Sequence, residues 1–131
     1  MAIPIEDAFE LGRKYVHLME GGIAKPVEAD FDFWDTIDGR RDLQHGRLVS
    51  ATELIDDSTH WEMHSGGDQV LILLAGAVEV VLQDGLEEEA VEMRSRTAYI
   101  VPRGLWHRFI VRRPGVMVFI RPGPGIERRP V

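Results

Sequence analysis

The chain has 131 residues, 44% of them apolar and 28% charged, with no cysteine and a net charge of −7. That length suits one domain with one core, and the apolar share excludes a chain disordered throughout. The missing thiols exclude disulfide scaffolds, thiolate zinc sites and cysteine nucleophiles, and the acidic balance argues against a nucleic-acid partner, whose phosphates call for a basic surface.

The first residues, MAIPIEDAFE, carry neither a basic n-region nor an apolar h-region, so no secretory signal is expected. From Ile5 to Met19 the residues Ile5, Ala8, Phe9, Val16 and Met19 recur at near-helical spacing, which predicts a short amphipathic helix ended by Gly21-Gly22. Residues 23–46 read as irregular, broken by Pro26, Gly39 and Gly46, with Phe31, Phe33 and Trp34 expected to pack that segment onto the core.

From Leu48 onward the pattern changes to short strands near 48–54, 59–64, 69–75, 77–83, 87–93, 97–101, 106–111 and 115–121, separated by turn residues. Asp84-Gly85 reads as the centre of a two-residue hairpin turn. Eight such strands predict an all-β, antiparallel sandwich or closed barrel. The chain therefore divides into a helical and irregular segment (1–47), the barrel (48–121) and a Pro/Gly/Arg tail (122–131) that is not expected to continue a strand. The longest apolar run, Val70 to Val78, is too short to cross a bilayer, so the expectation is a soluble cytoplasmic protein with no membrane partner.

The strand at 69–75 is apolar on both faces, although an antiparallel strand with one wet face would alternate. Its outer face must be covered by the N-terminal helix or by a second subunit, and a homodimer is expected. Charge is also split: residues 1–93 hold 6 Lys and Arg against 21 Asp and Glu, whereas residues 94–131 hold 9 Arg against Glu127 alone. A basic tail for nucleic acid is one reading, but Arg residues set singly between apolar positions favour cross-strand pairing with acids such as Glu87, Glu88 and Glu89.

Five histidines occur. His17 and His45 are assigned to surface or packing positions. His60, Glu62 and His64 alternate in HWEMH, so a strand would aim all three at one face and turn Trp61 away. His107 opens a distant strand, with Trp106 on its other face. Two imidazoles and a carboxylate converging in a barrel suit a divalent ion. A histidine pair in a buried polar network is the other reading, and spacing does not separate the two.

EMHSGGDQVLILLAG resembles the first motif of the cupins: His-x-His, four residues, Glu, six residues, Gly. Laid on this chain it falls on Glu62, His64, Gln69 and Gly76. The second motif, Gly, five residues, Pro-x-Gly-x-x-His, three residues, Asn, is met by Pro102, Gly104 and His107, with Arg96 and Val111 at its two ends. The resemblance covers about residues 48–121. It implies a jelly-roll barrel that dimerises through an edge strand or helix. Of the family's metal ligands only His64 and His107 keep their type. Glu62 supplies a displaced carboxylate and Gln69 an uncharged carbonyl donor. The implied site is Glu62, His64, Gln69 and His107 around a divalent metal (Zn, Fe, Mn or Ni), with a small molecule as partner. His60, nearer the rim, is the candidate for proton transfer, or a strand-end histidine without a role. Arg103, in the turn before His107, either attracts an anionic substrate or is a solvated loop charge. Two function classes stay open. One is a metal-dependent dioxygenase, isomerase or lyase acting on a small oxygen-rich molecule. The other is a metal-free binding or sensing domain.

Overall fold

The computed structural model describes residues 7–131. Nine strands carry the fold: β1 (Lys14–Leu18), β2 (Ala24–Glu28), β3 (Arg47–Leu54), β4 (His60–His64), β5 (Gln69–Asp84), β6 (Glu87–Arg94), β7 (Thr97–Val101), β8 (Trp106–Arg121) and β9 (Ile126–Pro130), with one short helix, α1 (Phe33–Thr36). All the pairings are antiparallel. Among the described residues no helix is long and apolar enough to cross a membrane.

Two long strands, β5 and β8, run side by side through the whole molecule and belong to both of its sheets. The first half of β5 and the second half of β8 sit in the order β2-β1-β3-β8-β5-β7, and their other halves in the order β9-β4-β8-β5-β6. The change of sheet falls where the β5–β8 register shifts, between Leu73 and Val78. Gln69, Leu71 and Leu73 point inward before the shift, and Val78, Val80 and Leu82 after it, so the bulge resets the inward parity. Gly115 permits this close crossing, since a Cβ there would overlap the Ala75 carbonyl. Between the sheets lies a core of Leu71, Leu73, Val78, Val80, Met93, Val101, Met117 and Phe119. This is the expected jelly roll, with 69–75 and 77–83 joined into one strand and 106–111 and 115–121 into another.

The N-terminal expectation needs correction. Of the helix expected over 5–19, residues 5 and 6 lie outside the described residues. Residues 14–18 form β1, hydrogen-bonded to β2 on one side and β3 on the other. Tyr15 and Val16 suit a pleated surface, and pairing on both edges outweighs a weak helical period. Gly21 and Gly22, at φ 78° and 76°, make the β1–β2 turn instead of ending a helix. Among the described residues the one α-helix lies further along, at Phe33–Thr36. Phe33 is buried with Ile37, Leu43 and Leu48 in a second apolar cluster, but Phe31 is fully exposed.

Two details of the turns and tail also differ. The hairpin turn is centred on Gly85-Leu86, flanked by the pair Asp84 and Glu87, and Gly85 alone takes a positive φ of 61°. Glycine at the first central position is the pattern of a type II′ turn. The tail does return as a strand: past the Pro-Gly-Pro-Gly bend, β9 pairs residue by residue with β4.

Candidate metal centre

Two antiparallel ladders build the site around β4. Glu62 lies directly opposite His107 of β8 on one edge and directly opposite Arg128 of β9 on the other. His64 is two residues further along β4 on the same face, as alternation requires. The Pro102–Gly104 turn aims His107 inward: Gly104 takes a φ of 85°, and its N–H donates to the His64 carbonyl at 2.9 Å. The backbone that carries one imidazole thus holds the turn that carries the other. Arg103 is exposed, and its N–H donates to Asp68 at 2.8 Å.

Glu62, His64 and His107 each offer a ligand atom, and these atoms lie within 4.8 Å of one another. The two imidazoles stack with centroids 5.8 Å apart. His64 is 3% exposed and His107 1%. Neither nitrogen of His64, nor Nε2 of His107, has a hydrogen-bond partner among the described residues. Burial pushes the His64 imidazole down to about 3, and the charges of Arg121, His107 and Arg128 add to the effect. Burial also lowers His107, against the pull of Glu62. Both rings are therefore neutral at physiological pH, with free lone pairs. Buried polar atoms left without partners are costly, and an ion would satisfy them. The donor set, two neutral imidazoles and a carboxylate, fits a divalent metal.

Gln69 is 1% exposed, and both atoms of its amide lack partners among the described residues. The register that pairs Val70 with Ile120 sets Gln69 level with Arg121, on the inward face. His60 is exposed, and its Nδ1 lies 2.9 Å from the Thr59 hydroxyl. It lines a cavity of about 340 Å³ that also touches Glu62 and His107. Trp61 is buried on the opposite face of β4, with the Arg108 and Arg129 guanidiniums 5.1 and 5.5 Å from its ring centre. A second cavity, about 380 Å³, lies beside His17 and His45, but the His17 Nε2 is already 2.7 Å from the His45 carbonyl.

Sequence reasoning missed two residues of the site. Arg128 donates from Nε to Glu62 Oε1 at 3.3 Å, and Arg121 Nη1 lies 3.7 Å from Glu62 Oε2. Arg121 stacks on Trp34, its guanidinium carbon 4.1 Å from the ring centre. Arg-rich strands do meet acidic residues, but at Glu62 and at Glu79, which holds Arg112. Glu87, Glu88 and Glu89 lie instead across from Asp84, Gln83 and Leu82 of their own hairpin.

The cupin domain family model matches residues 55–121, just over half of the chain. A cupin-2 domain containing protein from Shewanella frigidimarina is similar in structure, with 17% identity and a TM-score of 0.51 over 58% of this chain and 70% of that one. A protein from Neisseria meningitidis gives 26% identity and a TM-score of 0.51 over 59% and 74%. Oxalate oxidase, solved with the substrate analogue glycolate, gives 16% identity and a TM-score of 0.52 over 62% of this chain but 45% of its own length. No curated protein matches the chain. The matched segment holds β4 to β8, with Glu62, His64 and His107 and the bend that makes the two sheets, and the chain belongs to the cupin domain family.

Proposed function

We propose that this protein is a divalent-metal cupin whose Glu62, His64 and His107 hold the ion, and that it acts on a small oxygen-bearing molecule admitted through the cavity at His60. The observation that carries the reading is the trio of unpartnered, buried imidazole nitrogens beside a carboxylate. Gln69, buried with an unpartnered amide oxygen, is the proposed fourth ligand. When bound, an ion with open positions supplies Lewis-acid polarisation of a substrate oxygen, or redox chemistry if it is iron. The chain's own contribution is to exclude water at His64 and His107 and to hold Glu62 between two guanidiniums. It also sets His60 at the cavity wall, where its imidazole can take or give a proton. The glycolate bound by oxalate oxidase is a ligand of the proposed kind. The test is metal analysis of purified protein after supplementation with Zn, Fe, Mn and Ni: a stoichiometric ion is expected, and none after supplementation overturns the reading.

A second reading, a metal-free binding domain, draws on one observation. Glu62 is already engaged by Arg121 and Arg128, which lowers its worth as a ligand.

We also infer a homodimer, now with a defined surface. Val16, Val49, Ile120, Val70 and Ile100 form one row across β1, β3, β8, β5 and β7, on the face away from the core. Ala51, Val118, Ile72 and Ala98 form the next row. Ile100 is 57% exposed and Leu74 52%, and among the described residues no helix covers them. A continuous apolar sheet face of this kind favours stacking on a second copy. Arg47 and Glu53 lie near the two ends of β3 on the same outward face, so a twofold axis crossing the strands at the level of residue 50 sets Arg47 over the partner's Glu53.

A further inference from the structure

The same cavity contains more cation than its own carboxylate can balance. Arg121 reaches into it from the end of β8 with its side chain 11% exposed. Its guanidinium lies between two rings, 4.1 Å from the centre of Trp34 and 4.9 Å from that of Phe119. Its Nε is buried and has no hydrogen-bond partner among the described residues. The nearest anion, Glu62 Oε2, stands 3.7 Å from Nη1, beyond hydrogen-bonding reach. Arg128 binds the other oxygen of the same carboxylate, and its further contact, with Asp35 at 3.9 Å, lies out toward solvent. Two guanidiniums therefore share one carboxylate at the cavity wall. A buried cation left short of charge and of hydrogen bonds is expensive, and a second carboxylate would supply both.

We propose that Arg121 and Arg128 clamp the carboxylate of a small organic acid with an apolar body, seated in this cavity beside Glu62. A planar guanidinium fork matches a carboxylate in two parallel hydrogen bonds. The rest of the wall selects the body of the ligand: Trp34, Leu54, Phe109 and Phe119 line the cavity. At about 340 Å³ it is near the lower end of small-molecule sites, so the acid is compact. The inference deepens the metal reading, because the clamp would set the acid next to the ion. It uses different residues, however, and so can fail separately.

The test is calorimetric titration of the full chain, chelator-dialysed and metal-supplemented, with benzoate and butyrate against benzamide and butyramide. The acids are expected to bind both forms, and the isosteric amides at least tenfold more weakly. Arg121→Gln is expected to weaken acid binding at least tenfold and Arg128→Gln about threefold, with the metal content of both variants at or above that of the parent. Equal binding of acids and amides overturns the proposal. So does the absence of acid binding at millimolar concentration, or tighter binding of inorganic phosphate than of either acid. Should Arg121→Gln fail to fold, Arg128→Gln and the acid-to-amide ratio of the parent decide: an unchanged Arg128→Gln with a ratio near one refutes the clamp. Acid binding in protein that takes up no metal leaves the clamp standing and removes the metal reading. Metal uptake without acid-over-amide preference does the reverse.

Discussion

Glu62 and His107 face each other directly across β4 and β8, although 44 residues separate them in sequence. On its other edge Glu62 faces Arg128, so one carboxylate serves both the candidate ion and two guanidiniums. Glu62→Gln is therefore expected to lose bound metal and to cost about 2 kcal/mol of stability, less than a fully buried pair because Glu62 keeps 29% of its side-chain exposure. Chemical denaturation and metal analysis measure both. Arg121→Gln in the same chain should recover part of the stability and none of the metal, and a purely additive double-mutant cycle would sink the coupling.

The ligand set predicts three unlike variants. His107→Ala removes one of two imidazoles and should abolish most metal binding. Gln69→Glu should tighten the ion by restoring a charged donor. His60→Ala should keep the metal and lower any turnover by roughly 10²-fold or more if the imidazole transfers a proton. Metal retained in His107→Ala, or lost in Gln69→Glu, contradicts the four-ligand site.

Stability should fall with acid in a defined window. The His64 imidazole is held near 3 in the fold against about 6.5 when unfolded, so between those values the unfolded chain binds more protons. Its contribution is complete above pH 6.5 and is lost as pH falls. From pH 7 to 5 this one group should cost about 2 kcal/mol. His107 shifts in the same direction. Denaturant midpoints from pH 7 to 5 in metal-free protein check this, and His64→Gln should flatten the curve. An unchanged slope in that variant would assign the acid sensitivity elsewhere.

Most of the barrel was legible because period-two alternation and turn residues are local signals. So were His64 and His107, which sit in motifs, and Glu62, which shares their face by parity. Arg121 was hidden by its own strand: Val116, Val118 and Ile120 are as apolar as Met117 and Phe119, so alternation does not say which face enters the core. Arg128 was hidden by the Pro-Gly-Pro-Gly bend, since nothing local says that the chain resumes pairing beyond it. β1 was misread because helical spacing in one short segment is weaker than hydrogen bonding to two neighbours, which only the fold supplies.

The crossing of β5 and β8 offers a test of the bend. Gly115→Ala would drive a methyl into the Ala75 carbonyl, backbone against backbone, where no rotamer can relieve the contact. The expected cost is about 3 kcal/mol or more. A melting temperature within a degree of the parent would show that the strands do not cross there.

The outer sheet face gives the last prediction. Ile100 is 57% exposed on an edge strand, where a lysine should be tolerated by the monomer fold. Ile100→Lys is expected to shift the protein from dimer to monomer in light scattering at micromolar concentration, with circular dichroism unchanged. The orientation of the two copies has its own test. If Arg47 of one copy sits over the partner's Glu53, Arg47→Glu alone sets like charges together and should weaken the dimer. Adding Glu53→Arg should restore it, because the pairing is regenerated with reversed sign. A twofold axis lying along β3 would instead bring Arg47 over the partner's Arg47, and the double reversal would then rescue nothing beyond the effects of the two single changes. A parent protein that is monomeric throughout would remove the interface altogether and leave the apolar rows of β1, β3, β8, β5 and β7 to another partner.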